Sequence, residues 1–101
     1  MKESERNILI NQILWDYQIA AEDVEAVLRG EIKWAGHYNQ EMIFLKIIQS
    51  YSWFTMLQIF TPEELKHLLT TQVINKLRTP SLRRKYEFAQ KRLQQIIPAA
   101  G

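Results

Sequence analysis

Apolar residues recur along this chain at spacings of three and four, and alternation of apolar with polar residues is nearly absent. Such a period is typical of α-helices, because residues i, i+3, i+4 and i+7 lie on one helical face. Glycine and proline, three of each, lie at the edges of the periodic segments. The pattern therefore predicts an all-α fold, a compact single domain over residues 1–101 with five or six helices joined by short loops.

The first two predicted helices run over Ser4–Gln18 and Ala21–Arg29. The first carries apolar residues on two opposite sides, with Ile8 and Trp15 on the second of them. A helix of this kind is either buried on both sides or part of a dimer interface. Gly30 follows the last turn of the second helix, and we expect it to take the left-handed conformation that ends many helices.

The most apolar part of the chain, residues 42–60, is predicted to contain the central core helix. Asn39 is the predicted N-cap of a helix over Gln40–Gln49. Two interpretations of the next residues remain open. Either one helix continues through the stretch, or it breaks at residues 50–52 and Ser52 caps a second helix.

Polar side chains interrupt this apolar stretch, whereas a membrane span needs about 20 nearly uninterrupted apolar residues. The stretch is therefore interpreted as buried in the protein and not in a membrane. Trp53 and Phe54 are interpreted as core residues, with an exposed recognition patch as the alternative. The polar N-terminal residues do not resemble a secretory signal, and with the absence of cysteine they favour a cytoplasmic protein.

Three threonines mark the starts of later helices. In the segment Thr61–Glu64, the threonine is a predicted N-cap, the proline fits the first helical position and the glutamate closes a capping box. Thr70 or Thr71 is predicted to cap the next short helix. The pair Thr79-Pro80 then opens the last helix, which is predicted to end near Ile97.

Charge is divided unevenly along the chain. Residues 1–75 carry six Lys/Arg against ten Asp/Glu, whereas residues 76–101 carry seven Lys/Arg against Glu87 alone. The last predicted helix has an apolar seam for packing onto its own domain, formed by Leu82, Tyr86, Ala89, Leu93 and Ile96. A basic surface is predicted away from this seam, formed by Lys76, Arg78, Arg84, Lys85, Phe88, Lys91 and Arg92.

This asymmetry indicates either self-complementary assembly or an acidic partner, nucleic acid included. The leading interpretation is a non-enzymatic protein-interaction module whose basic last helix engages an acidic partner, with self-association left open. The alternative is a nucleic-acid-binding regulator that contacts phosphates with its cations and stacks Phe88 on a base. A third interpretation is an ordinary solvated helix face, with Phe88 buried beneath a neighbouring helix.

The sequence contains no recognisable constellation for catalysis or for a cofactor. Without cysteine there is no disulfide, thiolate metal site or cysteine nucleophile. His37 and His67 are too few for a zinc site, and no Gly-rich phosphate loop is present. The acids Glu22, Asp23 and Glu25 are interpreted as partners of a helix dipole, with a cation site as the alternative. We therefore predict a protein that is not an enzyme and binds no cofactor.

Three segments carry a resemblance to known proteins: Trp15–Tyr17, Ala35–Tyr38 and Ser81–Tyr86. Through them the chain resembles small all-helical bacterial proteins, some of which are encoded beside nucleotidyltransferase-type toxins. The similarity covers most of the chain. It implies a bacterial cytoplasmic protein that acts as an accessory or antitoxin-like partner, and it assigns no site residues.

Overall fold

The computed structural model describes the backbone of residues 3–14 and 19–97, and the side chains of residues 5–12 and 19–97. The predicted helical residues 15–18 lie outside these ranges. Within them the chain is helical and forms no β-strand, which confirms the all-α prediction. The helices in the described ranges are α1 (Glu3–Leu14), α2 (Ala21–Leu28), α3 (Gln40–Ser50), α4 (Trp53–Ile59), α5 (Pro62–Leu68), α6 (Thr71–Asn75) and α7 (Pro80–Ile96).

The described residues thus form seven helices, and the predicted number of five or six was too low. The interruption between α3 and α4 accounts for the additional helix, and it decides between the two interpretations of residues 42–60. Tyr51 takes an extended conformation, φ −122° and ψ 154°, which ends α3. The Ser52 hydroxyl then accepts a hydrogen bond from the Thr55 amide at 3.3 Å, as expected of a capping residue.

The chain divides into two compact units, Met1–Ile59 and Phe60–Gly101. We describe each unit separately and call them the N-terminal unit and the C-terminal unit. The assignment of the whole chain to a single domain stays a prediction. None of the helices in the described ranges combines the length and the apolar composition that crossing a membrane requires.

In the N-terminal unit, α3 packs against α1, α2 and α4. Four of its apolar residues are buried, whereas Met42 at its start is exposed. Among the described side chains of this unit, the buried apolar ones are Ile10, Val24, Val27, Leu28, Ala35, Ile43, Phe44, Ile47, Ile48, Met56 and Ile59.

Local signals fix the connection between α2 and α3. Gly30 has φ +78°, as predicted, and the amide of Glu31 donates to the carbonyl of Ala26 at 2.8 Å. These features form a Schellman motif, which satisfies the last carbonyls of α2. The Asn39 side chain accepts from the Met42 amide at 2.9 Å and caps α3, also as predicted.

In the C-terminal unit, α7 packs against α5 and α6. The predicted capping box of α5 is present, with the Thr61 hydroxyl accepting from the Glu64 amide at 3.2 Å. Thr70 caps α6 and Thr79 caps α7, and Pro80 occupies the first turn of α7. Three local signals therefore set the starts of all three helices in the described part of this unit.

Candidate protein-interaction surface

One face of α7 is anchored by apolar packing, which determines what its other faces present. Tyr86, Ala89 and Leu93 from the predicted seam are buried. Leu82 is half-buried, and Ile96 is 63% exposed, so the prediction that Ile96 packs in the seam was wrong. Ile96 lies at the edge of the seam near the end of the helix. The helix α7 has seventeen residues, whereas α5 and α6, on which it packs, have only seven and five residues.

Polar side chains also hold α7 in place. The Gln90 amide group donates to the Leu69 carbonyl at 3.1 Å, beyond the last turn of α5. The Arg83 guanidinium donates to the Leu77 carbonyl at 2.7 Å, in the segment after α6. Lys66 on α5 donates to the Ile97 carbonyl at the end of α7. These side chains satisfy carbonyls at helix ends, so Arg83 and Lys66 serve the packing of this unit.

The exposed side of α7 presents five residues that we call the basic face: Arg84, Lys85, Phe88, Lys91 and Arg92. All five side chains are exposed, and Phe88 is 68% exposed. The two cations before Phe88 are three and four residues away, and so are the two after it. Because residues at these spacings are neighbours on a helix, four cations surround one exposed aromatic ring.

The interactions of the basic face are few within the described residues. Lys85 Nζ lies 5.9 Å from the centre of the Tyr86 ring. One guanidinium nitrogen of Arg92 donates to Gln95 Oε1 at 3.5 Å. Among the described residues, none of the four cations forms an ion pair with a carboxylate. Their charge is therefore available to an outside partner.

The exposure of Phe88 contradicts one interpretation of the sequence. A Phe88 buried beneath a neighbouring helix would have left only a solvated charged face. Instead, a large apolar ring stands in water among cations. Exposed aromatic residues beside arginine are typical of binding sites.

Lys76 and Arg78 were predicted to extend this surface. Both are exposed, but they lie in the segment that connects α6 to α7. Lys76 is the C-cap residue of α6, with its amide bonded to the carbonyls of Val73 and Ile74. They belong to a different element from the basic face, and their part in binding stays a prediction.

A line of side chains along α7 extends the basic face toward the end of the helix. Lys85, Phe88, Arg92 and Ile96 follow one another at spacings of three, four and four, and all are exposed. We call these four residues the α7 stripe. Cationic and apolar side chains alternate along this stripe. The sequence did not predict the alternation, because it placed Ile96 in the buried seam.

The N-terminal unit contains a buried ion pair that the sequence did not predict. Arg6 Nε lies 2.8 Å from Glu25 Oε1, and their side chains are only 12% and 6% exposed. Arg6 also donates to the Ile59 carbonyl at 3.3 Å, and Arg29 Nε lies 3.7 Å from the second oxygen of Glu25. Glu25 lies beyond the first turn of α2 and is buried in this ion pair, whereas Glu22 and Asp23 are exposed in that turn, so the three acids do not act as one group of dipole partners.

Other exposed apolar residues also differ from expectation. Phe54 is 71% exposed and Leu57 is also exposed, so the interpretation of Phe54 as a core residue was wrong, whereas Trp53 is half-buried. The helix α4 buries Met56 and Ile59 instead. With two apolar faces on a seven-residue helix, periodicity alone does not decide which face is buried.

The remaining titratable groups do not assemble into a recognisable site. His37 and His67 are both exposed. In the part of the chain that the structure describes, no three His, Asp or Glu side chains come together as a metal-binding group. A cleft of about 400 Å³ lies beside the α2–α3 loop, lined in part by Ile32, Trp34 and Glu41.

Two tyrosines have perturbed acidities because of burial. Removal from water raises the pKa of Tyr86, which belongs to the seam of α7. It also raises the pKa of Tyr51, whose hydroxyl donates to the Leu9 carbonyl at 2.7 Å. Both phenols are therefore held in their neutral form, and neither belongs to the basic face.

Comparison with known proteins identified no relative of this chain. No protein-family model, curated protein or solved structure matches the chain. The candidate function consequently depends on the surface itself.

Proposed function

We propose that this protein is a non-enzymatic interaction module whose basic face binds an acidic protein partner. The observation that carries the proposal is Phe88, exposed by 68% and surrounded by Arg84, Lys85, Lys91 and Arg92. An acidic protein surface with an apolar pocket has the matching chemistry. The pocket accepts the ring, and carboxylates around it meet the four cations.

The ring and the cations contribute differently to such a complex. Each exposed ion pair contributes at most about 1 kcal/mol, because solvent screens it. The cations therefore act mainly on the rate and specificity of association. Burial of Phe88 supplies the larger part of the affinity, since a fully buried phenylalanine side chain contributes about 1.5–3 kcal/mol.

Ile96 favours a protein partner over nucleic acid. Phe88 and Ile96 are eight residues apart on the α7 stripe, which corresponds to about 12 Å along a helix. A base can stack on the phenylalanine ring, but phosphates and bases gain little from an exposed isoleucine. Apolar side chains spaced along one helix face are typical of a helix that lies in a groove of another protein.

The resemblance of the sequence to bacterial helical proteins suggests a context for the proposal. In that context the partner is a nucleotidyltransferase-type toxin, and the protein acts as its cytoplasmic antitoxin-like accessory. The chemistry of the basic face does not by itself require a partner of this class. An acidic protein of another class satisfies the same chemistry.

A photo-cross-linking experiment tests the proposal directly. Phe88→p-benzoylphenylalanine places the reactive group at the centre of the basic face, in full-length protein expressed in bacterial cells. Gln94→p-benzoylphenylalanine is the matched control, because Gln94 is also an exposed residue of α7 but lies on a different face of the helix from Phe88. We expect an acidic protein to be captured from position 88 and not from position 94. Equal capture from both positions would contradict the proposal.

The same variant separates charge from apolar contact. Arg84→Ala, Lys85→Ala, Lys91→Ala and Arg92→Ala, combined in one chain with the cross-linker at position 88, are expected to reduce capture strongly. Circular dichroism would establish that the combined variant still folds. Unchanged capture by a folded variant would show that the cations do not select the partner.

A titration with nucleic acid tests the alternative function. Nuclease-treated protein would be titrated with single-stranded and duplex DNA and with RNA, from low to physiological salt. The proposal predicts weak binding that disappears at physiological salt. Micromolar or tighter binding at physiological salt, with a steep salt dependence and loss in the four-alanine variant, would instead establish a nucleic-acid regulator.

A further inference from the structure

The helix α1 has an exposed face whose residue spacing matches that of the α7 stripe. Glu5, Ile8 and Gln12 lie at i, i+3 and i+7 and are all exposed, with Ile8 at 59%. On α7, Lys85, Phe88 and Arg92 have the same spacing. Each helix thus presents an apolar side chain in the middle of a polar stripe.

The charges of the two stripes are opposite, and so are those of the two units. The N-terminal unit contains five Lys/Arg and eight Asp/Glu, whereas the C-terminal unit contains eight Lys/Arg and three Asp/Glu. Glu5 gives the α1 stripe a negative charge, and Lys85 and Arg92 give the α7 stripe two positive charges. The α1 stripe therefore carries one carboxylate beside its apolar residue, and the α7 stripe carries two cations beside its own.

We propose that the acidic partner of the α7 stripe is the α1 stripe of a second copy of this chain. This inference rests on the proposed function and specifies its partner. In the complex, Ile8 of one copy packs against Phe88 of the other. Glu5 meets Lys85 or Arg92, depending on whether the two helices run in the same or in opposite directions.

Helix spacing makes this pairing geometrically reasonable. Residues at spacings of three and four form a nearly straight line along an α-helix, so two such lines pack side by side. Seven residues span about 10 Å, and on both helices the outer residues lie about 4.5 and 6 Å along the axis from the apolar one. The uncharged Gln12 then faces the second cation without repulsion.

Charge also decides which pairings are unfavourable. Two copies of the α7 stripe facing each other would bring their cations together, which disfavours contact between identical stripes. The α1–α7 pairing instead joins opposite charges, so it is the favoured contact between two copies.

Charge reversal provides the test. Sedimentation of the full chain at increasing concentration is expected to show a dimer. Glu5→Lys in one variant, and Lys85→Glu with Arg92→Glu in another, are each expected to raise the dissociation constant about 10-fold or more, because like charges then face each other. Glu22→Lys is the control, since Glu22 is exposed on α2 and outside the stripe.

Mixing the two reversed variants gives the most specific result. The reversed α1 stripe of one variant and the reversed α7 stripe of the other carry opposite charges, so we expect dimerisation to return on mixing at concentrations at which each variant alone is mainly monomeric. Circular dichroism of each variant establishes that it is folded. A wild-type monomer at all concentrations, or a dimer that Glu5→Lys leaves unchanged, would overturn the inference.

Failure of this inference is distinguishable from failure of the proposed function. Cross-linking from position 88 to the α1 stripe of a second copy supports both, because the carboxylate of that stripe, and not the net charge of +2 on the chain, meets the cations. Capture of a different acidic protein, from a chain that sediments as a monomer, retains the proposed function and overturns self-association. Absence of any capture from position 88 overturns both.

Discussion

The two units use charged side chains in different places. The N-terminal unit removes the Arg6–Glu25 pair from water, with the two side chains only 12% and 6% exposed. The C-terminal unit keeps its cations largely on the surface and buries mainly apolar groups. A buried pair influences stability, whereas exposed cations influence association. The net charge of a segment therefore does not reveal whether its charges serve folding or recognition.

The largest predicted effect concerns the buried pair. Glu25→Ala removes the carboxylate that lies 2.8 Å from the buried Arg6 guanidinium and is expected to destabilise the protein by about 3–5 kcal/mol. Urea unfolding followed by tryptophan fluorescence measures this change in the N-terminal unit, because all three tryptophans lie there. Glu22→Ala, at an exposed position on the same helix, is the control and should change stability by about 0.5 kcal/mol or less. Equal effects of the two substitutions would contradict a stabilising role for the pair.

The second prediction concerns pH and the C-terminal unit. Because burial raises the pKa of Tyr86, the unfolded chain loses this proton first as pH rises above the ordinary value of 10.0. Stability is therefore complete below pH 10 and falls above it, by up to about 1.4 kcal/mol per pH unit for this group. Tyr86→Phe should reduce this alkaline loss in thermal unfolding followed by circular dichroism. An identical pH profile for the variant would exclude Tyr86 as a cause.

The capping box of α5 gives a smaller effect. Thr61→Ala removes the acceptor for the Glu64 amide and should cost about 1 kcal/mol. Thr71→Ala is the matched control, because Thr71 is an exposed threonine that starts α6 without being its cap. Thermal unfolding of both variants measures the difference. A loss of stability from Thr71→Ala as large as that from Thr61→Ala would show that the cap is not the reason.

The smallest effect on folding is expected at Phe88. Because its ring is mostly in water, Phe88→Ser should change the free energy of unfolding by only about 0.5 kcal/mol or less. The same substitution should strongly reduce cross-linking or dimerisation. Urea unfolding measures the first quantity and sedimentation the second. A large loss of stability would place Phe88 among the residues that support the fold, and the contrast between the two units would then be weaker.

Local features of this fold were predictable, and distant pairings were not. The caps at Asn39, Thr61 and Thr79 depend on residues within three positions, so the sequence alone indicates them. Arg6 and Glu25 are far apart in the chain, and neither has a neighbour that indicates its partner. Their pairing depends on how α1 and α2 pack, which a single sequence does not contain.

The candidate surface was predictable only in part. Residue spacing placed four cations around Phe88, because helical geometry alone sets those distances. It left open whether another helix covers the ring, since that depends on the packing of the whole unit. The same difficulty explains Phe54, whose helix has apolar residues on two sides, and Ile96 at the end of the seam.

The hydrogen bonds that join α1 to the end of α3 and to the end of α4 have a consequence for folding during synthesis. Tyr51 binds the Leu9 carbonyl across 42 residues, and Arg6 binds the Ile59 carbonyl across 53. The helix α1 leaves the ribosome before these residues and therefore lacks its partners until the last residues of its unit have been made. We expect the N-terminal unit to complete its folding only after Ile59 has emerged from the exit tunnel.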